Sequence, residues 1–414
     1  MASDAVPRAL DVNALWHYLS LRSMPDECSM IAGVRKLPAA YTLLRSADGT
    51  VRTRRYWTPD FRSKLTLRVD EPEEAHDECL RETVGSHLLS DVPVGTFLSG
   101  GIDSTTTGAM MARQLSYPVP ASSIGVDEAS FDELGAAEQV ARAEGMVFHG
   151  ERVKADIAAL LPMLVHHLGE PADPYAVGVY LVSRLAGRHA RVLGVLRLTP
   201  EERAELFHPE AERSLDDPDT LGKVLRWFDA PNVDDLTDRM LYTDLMNRVP
   251  NHNLVMGDRM SMACSLEVRA PFVDPRVVEF AASLPAEMKL KGRKLKYLLR
   301  KVAARYLPPE IVRRPKQGFG FPVGLWMQRD LRALVEDRLG NSRLVAAGVF
   351  RPEPLARIMR EHLAGRVDHS YRLWLLLNLE IWHEIYIEQH SVEAATAGIR
   401  RPGLDEITPA GWRY

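Results

Sequence analysis

Cysteine is scarce in this sequence, and long apolar runs are absent. The 414 residues include three cysteines, Cys28, Cys79 and Cys264, which lie far apart and form no CxxC pair. This spacing excludes a disulfide scaffold and a four-cysteine zinc site. The longest apolar run, around Trp374, is much shorter than the roughly 20 residues of a membrane helix, and no signal-peptide pattern precedes Ala9. We therefore expect a cytoplasmic protein.

Positive charge is not in excess either. The chain has 52 Lys and Arg against 56 Asp and Glu, a formal net charge of −4. This balance argues against a protein that binds nucleic acid through bulk positive charge. The basic residues between Lys289 and Lys301 flank leucines, which favours a solvated helix face. The expected partners are small molecules, with no nucleic acid and no membrane.

The length predicts two or three domains, at about 150 residues each. Short β-type runs such as Tyr41–Leu44 predict a small lead-in lobe over residues 1–69, a main domain over 70–390 and a tail over 391–414. Helix and strand patterns alternate up to Thr199 and helical patterns dominate afterwards. Such alternation indicates βαβ units. The predicted fold class is α/β, a doubly wound parallel sheet with an all-helical C-terminal half.

The individual elements follow from hydrophobic periodicity and turn residues. The predicted strands are Val92–Leu98, Ala121–Val126, Val147–Val153 and Arg191–Leu196. The predicted helices lie at 71–89, Thr105–Leu115, Asp132–Glu144, from Asp156 with a kink at Pro162, Leu236–Arg248, Arg276–Leu284, Lys294–Tyr306, Leu325–Leu339, Pro354–Ala364 and Tyr371–Ile387.

A glycine-rich turn joins the first of these strands to the helix after it. Gly100 and Gly101 let backbone N–H groups approach oxyanions, and the hydroxyls of Ser99 and Ser104 add donors. Asp103 would repel phosphate unless a cation intervenes, so the pattern predicts Mg²⁺ bound by Asp103 and a polyphosphate. No GxxxxGK[ST] sequence of the Walker type is present. The alternative is an ordinary turn between a strand and a helix.

The segment Ser99-Gly100-Gly101-Ile102-Asp103-Ser104 resembles the SGGxDS pyrophosphate loop of ATP pyrophosphatases. The preceding segment, Ser90–Gly95, resembles asparagine synthetases in particular, and later motifs are similar to that family at Asp258–Ala263, Ser265–Asp274 and Arg314–Gly320. The resemblance covers about residues 10–387 in order. We identify the chain as a member of the asparagine synthetase family, which implies a sheet of ATP pyrophosphatase (adenine nucleotide alpha hydrolase-like) type.

The resemblance implies an ATP-dependent amide ligase with ATP and Mg²⁺ as cofactors. It adenylates a carboxylate, aspartate or a specialised acid, releases pyrophosphate, and forms an amide with ammonia or another amine. The acyl-AMP solves a chemical problem, because a carboxylate oxygen is a very poor leaving group whereas AMP leaves readily. A specialised acid or a peptide would leave the same motifs, so the substrate stays open.

The resemblance also assigns residues. Leu98 and Ile124 would contact adenine through backbone groups, the loop Ser99–Ser104 would hold phosphates, and Asp103 would bind the metal. Lys316 would neutralise charge that develops on pyrophosphate. Three further residues would line or brace the pocket for the carboxylate and the amine, with a purely structural ion-pair network as the alternative: Asp258, Glu267 and Arg269.

The start of the chain departs from the family pattern. Asparagine synthetases of this type begin with a glutaminase domain whose nucleophile is an N-terminal cysteine, whereas this sequence begins Met1-Ala2-Ser3. The resemblance implies that the lead-in lobe over residues 1–69 is a remnant of the edge of that glutaminase domain. We expect no glutamine hydrolysis by that route. The amine would be ammonia, an organic amine or ammonia from a partner, which leaves a separate glutaminase or a homodimer open.

A second departure falls at about 194/195. The family carries an acidic SGDGGDE motif after the strand-like Arg191–Gly194, but this sequence continues directly as Val195–Glu202, which resembles family sequence from beyond that motif. Either the protein lost the segment or the printed sequence lacks it. The loss motivates the alternative of a non-catalytic homologue that binds nucleotide or a partner protein. A tRNA-modifying ATP pyrophosphatase is disfavoured by the net charge and by the motifs outside the loop.

Overall fold

The structure is a computed structural model. It describes residues 6–25, 27–66, 71–92, 94–125, 133–152, 156–186, 200–292, 294–314, 321–396 and 399. Within these ranges no helix has both the length and the apolar character needed to cross a membrane.

Helices dominate the described residues, and the strands fall mainly in the first half of the chain. The first half contains α1 (Val12–Leu21), β1 (Tyr41–Arg45), β2 (Val51–Arg55), α2 (Glu71–His87), β3 (Thr96–Phe97), α3 (Ile102–Gln114), β4 (Pro120–Gly125), α4 (Leu134–Ala143), β5 (Val147–Arg152), α5 (Ile157–Leu168) and α6 (Pro174–Ala186). The middle contains α7 (Pro200–Leu206), α8 (Pro209–Arg213), α9 (Thr220–Phe228), α10 (Leu236–Thr243), a π-helix (Asp244–Leu254), α11 (Val255–Met262), a 3₁₀ turn (Pro271–Val273), α12 (Pro275–Ser283) and α13 (Ala286–Lys289). The remainder contains β6 (Leu290–Lys291), β7 (Lys294–Leu295), α14 (Tyr297–Ala303), α15 (Pro309–Arg313), α16 (Val323–Gln328), α17 (Arg332–Gly340), α18 (Arg343–Ala346), α19 (Pro352–Leu363), α20 (Ser370–Tyr386) and α21 (Val392–Thr396).

Strands β3, β4 and β5 form a parallel sheet in chain order, with α3 and α4 as the crossovers. This confirms the parallel sheet that the βαβ pattern predicts. β3 is shorter than the predicted Val92–Leu98, because the segment entering β4 contains Pro118 and Pro120, which have no N–H to donate to a neighbouring strand. The predicted strand at Arg191–Leu196 lies outside the described residues.

Helices cover both faces of this sheet. Ala121 of β4 packs in one core cluster with α3 and α4, whereas Ile124 packs in another with α5, α6 and α20. Successive residues of a strand point to opposite faces, so an odd and an even position necessarily meet different layers. The central strand β4 is therefore buried between two helical layers, whereas β5 is a mostly exposed edge strand.

The lead-in region is more helical than the sequence analysis expects. The antiparallel hairpin of β1 and β2 matches the predicted β-type runs. Helix α1 was not predicted; it begins after Asp11, whose side chain accepts from the Ala14 amide at 2.9 Å. Its Leu15 and Leu19 are buried in the main core. Helix α21 likewise lies in the predicted tail, and its Ala395 is buried. The domain boundaries at 69 and 390 stay predictions.

The C-terminal half is not entirely helical, which corrects the sequence prediction. A short hairpin, β6 and β7, occupies the start of the predicted helix Lys294–Tyr306. The helix begins only at Tyr297, because Gly292 (φ +59°) and Lys296 (φ +56°) adopt left-handed backbone conformations that a right-handed helix does not accept.

Two further predicted helices are not continuous α-helices in the structure. The predicted Leu325–Leu339 is divided into α16 and α17, with a break at Arg329 where φ is −120° and ψ is −78°. The predicted Leu236–Arg248 ends as an α-helix at Thr243 and continues as the π-helix, which contains Pro250. π-Helices are rare in proteins and occur frequently at functional sites.

Candidate functional site

The glycine-rich loop lies at the carboxyl edge of the parallel sheet. Leu98 follows β3, is buried, and donates its N–H to the Ser122 carbonyl at 2.9 Å. Ile124 is the penultimate residue of β4. Ligands of open α/β sheets bind outside this edge. The predicted adenine contacts of Leu98 and Ile124 stay predictions, and because the Leu98 N–H is already used, a contact from its backbone requires the carbonyl oxygen.

Hydrogen bonds within the loop connect its two ends. The hydroxyls of Ser99 and Ser104 lie 2.8 Å apart, and the Ser99 amide donates to the Ser104 hydroxyl at 3.1 Å. The Thr105 amide makes a 3.1 Å bond to the Gly101 carbonyl at the start of α3. The amides of residues 102–104 therefore precede the intrahelical ladder and point off the N-terminus of a 13-residue helix. Such an end attracts anions.

Gly100 is the position where the loop has least space. Its φ is +67°, and an added Cβ would lie 2.7 Å from Nη1 of Arg314 and 2.8 Å from Cβ of Ala136. Glycine adopts this conformation without a steric penalty, and here it also lets α4 and Arg314 approach the loop backbone. The space that a side chain at residue 100 would need is therefore occupied by Arg314 and Ala136.

Two cationic side chains lie beside the loop. Lys296 forms an ion pair with Asp103, and Nη1 of Arg314 lies 3.5 Å from the Gly100 carbonyl oxygen. Neither role is predicted from the sequence, which places Lys296 in the solvated basic face and Arg314 in a family motif. Lys296 and Asp103 are 193 positions apart in the sequence, and the fold brings them together. Local sequence does not reveal this proximity. Lys316, the predicted cation, lies outside the described residues.

Glu267 and Arg269 are brought together with each other. Nε of Arg269 donates to Glu267 at 2.7 Å, and Nη1 donates to the carbonyls of His87 and Leu89 at 2.8 and 2.6 Å. The hydrogen bond from Arg269 lowers the pKa of the Glu267 carboxyl. Arg269 thus links the motif Ser265–Asp274 to the segment that leads into the loop. Of the two predicted roles, these contacts favour bracing.

A second group of contacts braces the end of α2. Arg276 donates to Asp274 through Nε and Nη2 at 2.9 Å each, and Nη2 also donates to Ser86 at 2.7 Å. Nε2 of His87 lies 3.2 Å from Asp274. Hydrogen bonds from Arg276 are the main reason that the pKa of Asp274 lies well below its ordinary value. Asp274 therefore stays ionised and holds α2 in place at all ordinary pH values.

Asp258 stands apart from these groups. It is exposed on α11, its carbonyl accepts from the Ser261 hydroxyl at 2.9 Å, and its carboxylate forms no ion pair among the described residues. Its predicted role stays a prediction. Among the described residues no three His, Cys, Asp or Glu side chains form a cluster that could hold a metal ion. A metal at Asp103 would therefore need further ligands from a bound phosphate, a combination that Mg²⁺ commonly uses.

Comparison with known proteins identifies the family. The model of the asparagine synthase family matches residues 75–196 and 194–384. The chain is 28% identical to asparagine synthetase [glutamine-hydrolyzing] 1 of Bacillus subtilis, over 92% of this chain and 70% of that protein. It is 30% identical to a putative asparagine synthetase [glutamine-hydrolyzing] of Mycobacterium tuberculosis, over 92% of this chain and 69% of that protein.

The same comparisons bear on the predicted gap. The family match is divided into two pieces that meet at residues 194–196, where the acidic motif is missing. The alignment with the Bacillus subtilis protein spans 444 positions, more than the 414 residues of this chain, so that relative has residues that this chain lacks. These matches, together with the loop at the sheet edge and the four motifs, confirm the resemblance seen in the sequence: the chain belongs to the asparagine synthase family of carbon–nitrogen ligases.

Proposed function

We propose that the chain is an ATP-dependent amide ligase that activates a carboxylate as its acyl-AMP and transfers the acyl group to ammonia or another amine. The observation that carries this proposal is the loop Ser99–Ser104 at the carboxyl edge of the sheet, which joins the N-terminus of α3 and is contacted by two cationic side chains, Lys296 and Arg314. We also propose that the sheet belongs to the ATP pyrophosphatase type, with the nucleotide across this edge.

The charges of the loop suit a triphosphate. The amides of residues 102–104 supply donors, Arg314 lies near the loop backbone, and Lys296 is held by Asp103 alone among the described acidic residues. The Lys296 and Asp103 side chains are 34% and 47% exposed, so their pairing is screened and weak. A bound phosphate competes well for Lys296, and we propose that Lys296 transfers from Asp103 to the nucleotide.

Mg²⁺ fits the same arrangement. Once Lys296 bonds to phosphate, Asp103 offers one carboxylate, and the phosphate oxygens supply the other anionic ligands. The metal would neutralise charge on the phosphates. The chain's own residues would orient the polyphosphate: the loop amides bind its oxygens, and Lys296 stabilises the negative charge that builds on departing pyrophosphate.

Calorimetric titration with MgATP tests the assignment of the loop. Lys296→Met should weaken binding about tenfold or more, equivalent to ~1.4 kcal/mol. Lys294→Met is the matched control, because Lys294 is exposed on β7, two residues before Lys296. This variant should bind MgATP as the unaltered protein does. Equal binding by both variants would contradict the role given to Lys296.

Exchange of labelled pyrophosphate into ATP tests the reaction. The proposal expects exchange that depends on a carboxylate, with aspartate tried first and larger acids afterwards. Asp103→Asn should reduce both exchange and the dependence of ATP binding on Mg²⁺. ATP binding without carboxylate-dependent exchange across a broad panel of acids would favour the non-catalytic alternative instead.

A further inference from the structure

The two cations beside the glycine-rich loop lie on separate segments of the chain. Lys296 follows β7 and pairs with Asp103. Arg314 follows α15 and lies 3.5 Å from the Gly100 carbonyl oxygen. Lys316, the cation that the resemblance predicts, comes two positions after Arg314 in the sequence. A polyphosphate that is bound by cations of both segments requires a fixed distance between the two segments.

One side chain contacts both of these segments. Nε of Arg300 donates to the carbonyl of Leu295, the residue immediately before Lys296, at 3.2 Å. Nη1 of the same guanidinium donates to the carbonyl of Val312, two residues before Arg314. Arg300 therefore bridges the backbone that carries Lys296 to the backbone that carries Arg314.

Helix α14, which carries Arg300, is firmly packed. Its residues Leu299 and Val302 are buried in a core cluster. The same cluster contains Leu98, which precedes the glycine-rich loop, and Ile311 of α15. Close-packed interiors deform little, so a displacement of either segment relative to α14 stretches one of the hydrogen bonds from Arg300.

The bridge uses the planar shape of the guanidinium group. Arginine presents five N–H donors in a rigid fork and can bond two carbonyls at once, whereas the ammonium of lysine acts as a point charge. The Val312 carbonyl lies in the last turn of α15, where helix carbonyls lack intrahelical partners. Within the described ranges Arg300 forms no ion pair with an acidic side chain. Its contacts therefore fix backbone and do not neutralise a carboxylate.

From these contacts we propose that Arg300 is a positioning residue of the phosphate site. It acts through Lys296 and Arg314, because its two hydrogen bonds set the distance between the segments that carry them. One polyphosphate can then meet both cations without a costly rearrangement of the backbone. This inference rests on the proposed function and adds to it the residue that couples the two halves of the cationic site.

Calorimetric titration of the full chain with MgATP tests the role of Arg300. Arg300→Ala should weaken binding about tenfold or more, because both segments are released. Arg300→Lys keeps the positive charge but satisfies at most one of the two carbonyls, so it should still weaken binding about threefold or more. Full affinity in Arg300→Lys would show that charge alone matters and would overturn the proposal. This variant also keeps the test valid if Arg300→Ala fails to fold.

Arg113→Ala is the matched control. Arg113 also donates to two backbone carbonyls, those of Arg305 and Tyr306 at 3.3 and 3.1 Å, and it pairs with Glu144. It lies in the last turn of α3, at the opposite end of that helix from the glycine-rich loop. Its loss removes at least as many contacts, but MgATP affinity should stay within about twofold of the unaltered protein. An equal loss of affinity in Arg113→Ala and Arg300→Ala would reduce Arg300 to a general structural residue and overturn the proposal.

A double-mutant cycle tests whether Arg300 acts through Lys296. Once Lys296→Met has removed one of the cations that Arg300 positions, Arg300→Ala should cost less affinity than it does in the unaltered protein. The loss of MgATP affinity in the double variant should be at least about threefold smaller than the product of the two single losses. Losses that multiply fully would mean that the two residues act independently and would overturn the proposal.

Amide hydrogen exchange without nucleotide separates this inference from the proposed function. Arg300→Lys should speed exchange in both bridged segments, residues 294–297 and 311–314, whereas Arg113→Ala should leave both unchanged. Acceleration in only one segment would overturn the bridge while the proposed function stands. Failure of the unaltered protein to bind MgATP would instead contradict the proposed function, and the role of Arg300 at a phosphate site would fall with it.

Discussion

Replacing Gly100 with alanine tests the geometry of the loop directly. Two costs follow from the structure. A left-handed backbone conformation costs a non-glycine residue about 1–2 kcal/mol. The new Cβ would also lie 2.7 Å from Nη1 of Arg314 and 2.8 Å from Cβ of Ala136, so a neighbour has to move. The flexible Arg314 can yield, but Ala136 is held on helix α4, and overpacking of this kind costs about 1–3 kcal/mol.

Gly365→Ala is a matched control for Gly100→Ala. Gly365 has a φ of +68°, against +67° for Gly100, but nothing lies within 4 Å of its added Cβ. Urea denaturation should therefore show a loss of about 1–2 kcal/mol for Gly365→Ala. The loss for Gly100→Ala should be about 2–5 kcal/mol, because the steric cost adds to the conformational one.

The two variants should separate further in a binding assay. Relief of the contact with Ala136 displaces the loop from the start of α3, whose amides are proposed to bind phosphate, so Gly100→Ala should bind MgATP at least about tenfold more weakly by calorimetry. Gly365→Ala should bind normally. Equal unfolding free energies for the two variants, with unchanged ATP affinity, would contradict both the crowded left-handed position of Gly100 and its place at the proposed nucleotide site.

Three other perturbations give measurable outcomes. Asp238 is buried and pairs with Lys64 and Lys289; Asp238→Ala leaves two uncompensated ammonium groups and should cost about 3–5 kcal/mol in urea denaturation. Burial lowers the pKa of His76 to about 4. The unfolded chain then binds a proton that the folded chain excludes, so stability is complete above about pH 6.5, falls by up to about 3 kcal/mol toward pH 4, and should fall less in His76→Phe. Arg269→Ala should speed amide exchange in the segment after α2 by about tenfold, measured by mass spectrometry, because two charged hydrogen bonds worth about 1–3 kcal/mol are lost; unchanged exchange would contradict the bracing role.

Local sequence was sufficient for the elements that form the site. The alternation of strand and helix patterns predicts the parallel sheet, and the two glycines with Ser99 and Ser104 predict the loop between β3 and α3. The ends of these elements were predicted less well, since they depend on pairing with neighbouring strands. β3 covers only Thr96–Phe97 of the predicted strand Val92–Leu98, because prolines lie opposite the first half of that predicted strand. Sequence patterns describe residues that are neighbours along the chain, whereas the ends of these elements depend on residues that are distant in the sequence.

The cation at Asp103 illustrates what sequence could not provide. Lys296 reaches the loop because the chain turns at Gly292 and adopts a left-handed conformation at Lys296 itself. The leucines around Lys296 are periodic enough to predict a continuous helix, and in such a helix the Lys296 side chain would lie on the solvent face. A tertiary requirement for the hairpin outweighs local helix propensity here. The missed helix α1 has a related cause, because it is buried on nearly every side and lacks the amphipathic pattern of a surface helix.

The burial of α1 has a consequence for synthesis of the protein. The contacts that hold this helix come from far along the chain: Arg22 pairs with Asp173 at 2.6 Å, and Trp16 donates to the Pro218 carbonyl at 2.9 Å. At translation rates of about 5–20 residues per second, α1 waits on the order of 10–40 s after its own synthesis for these partners. During that time Trp16, Leu15 and Leu19 remain exposed on the nascent chain. Helix α1 is thus synthesised well before the residues that pack against it, and binding of chaperones to the nascent chain should include this helix.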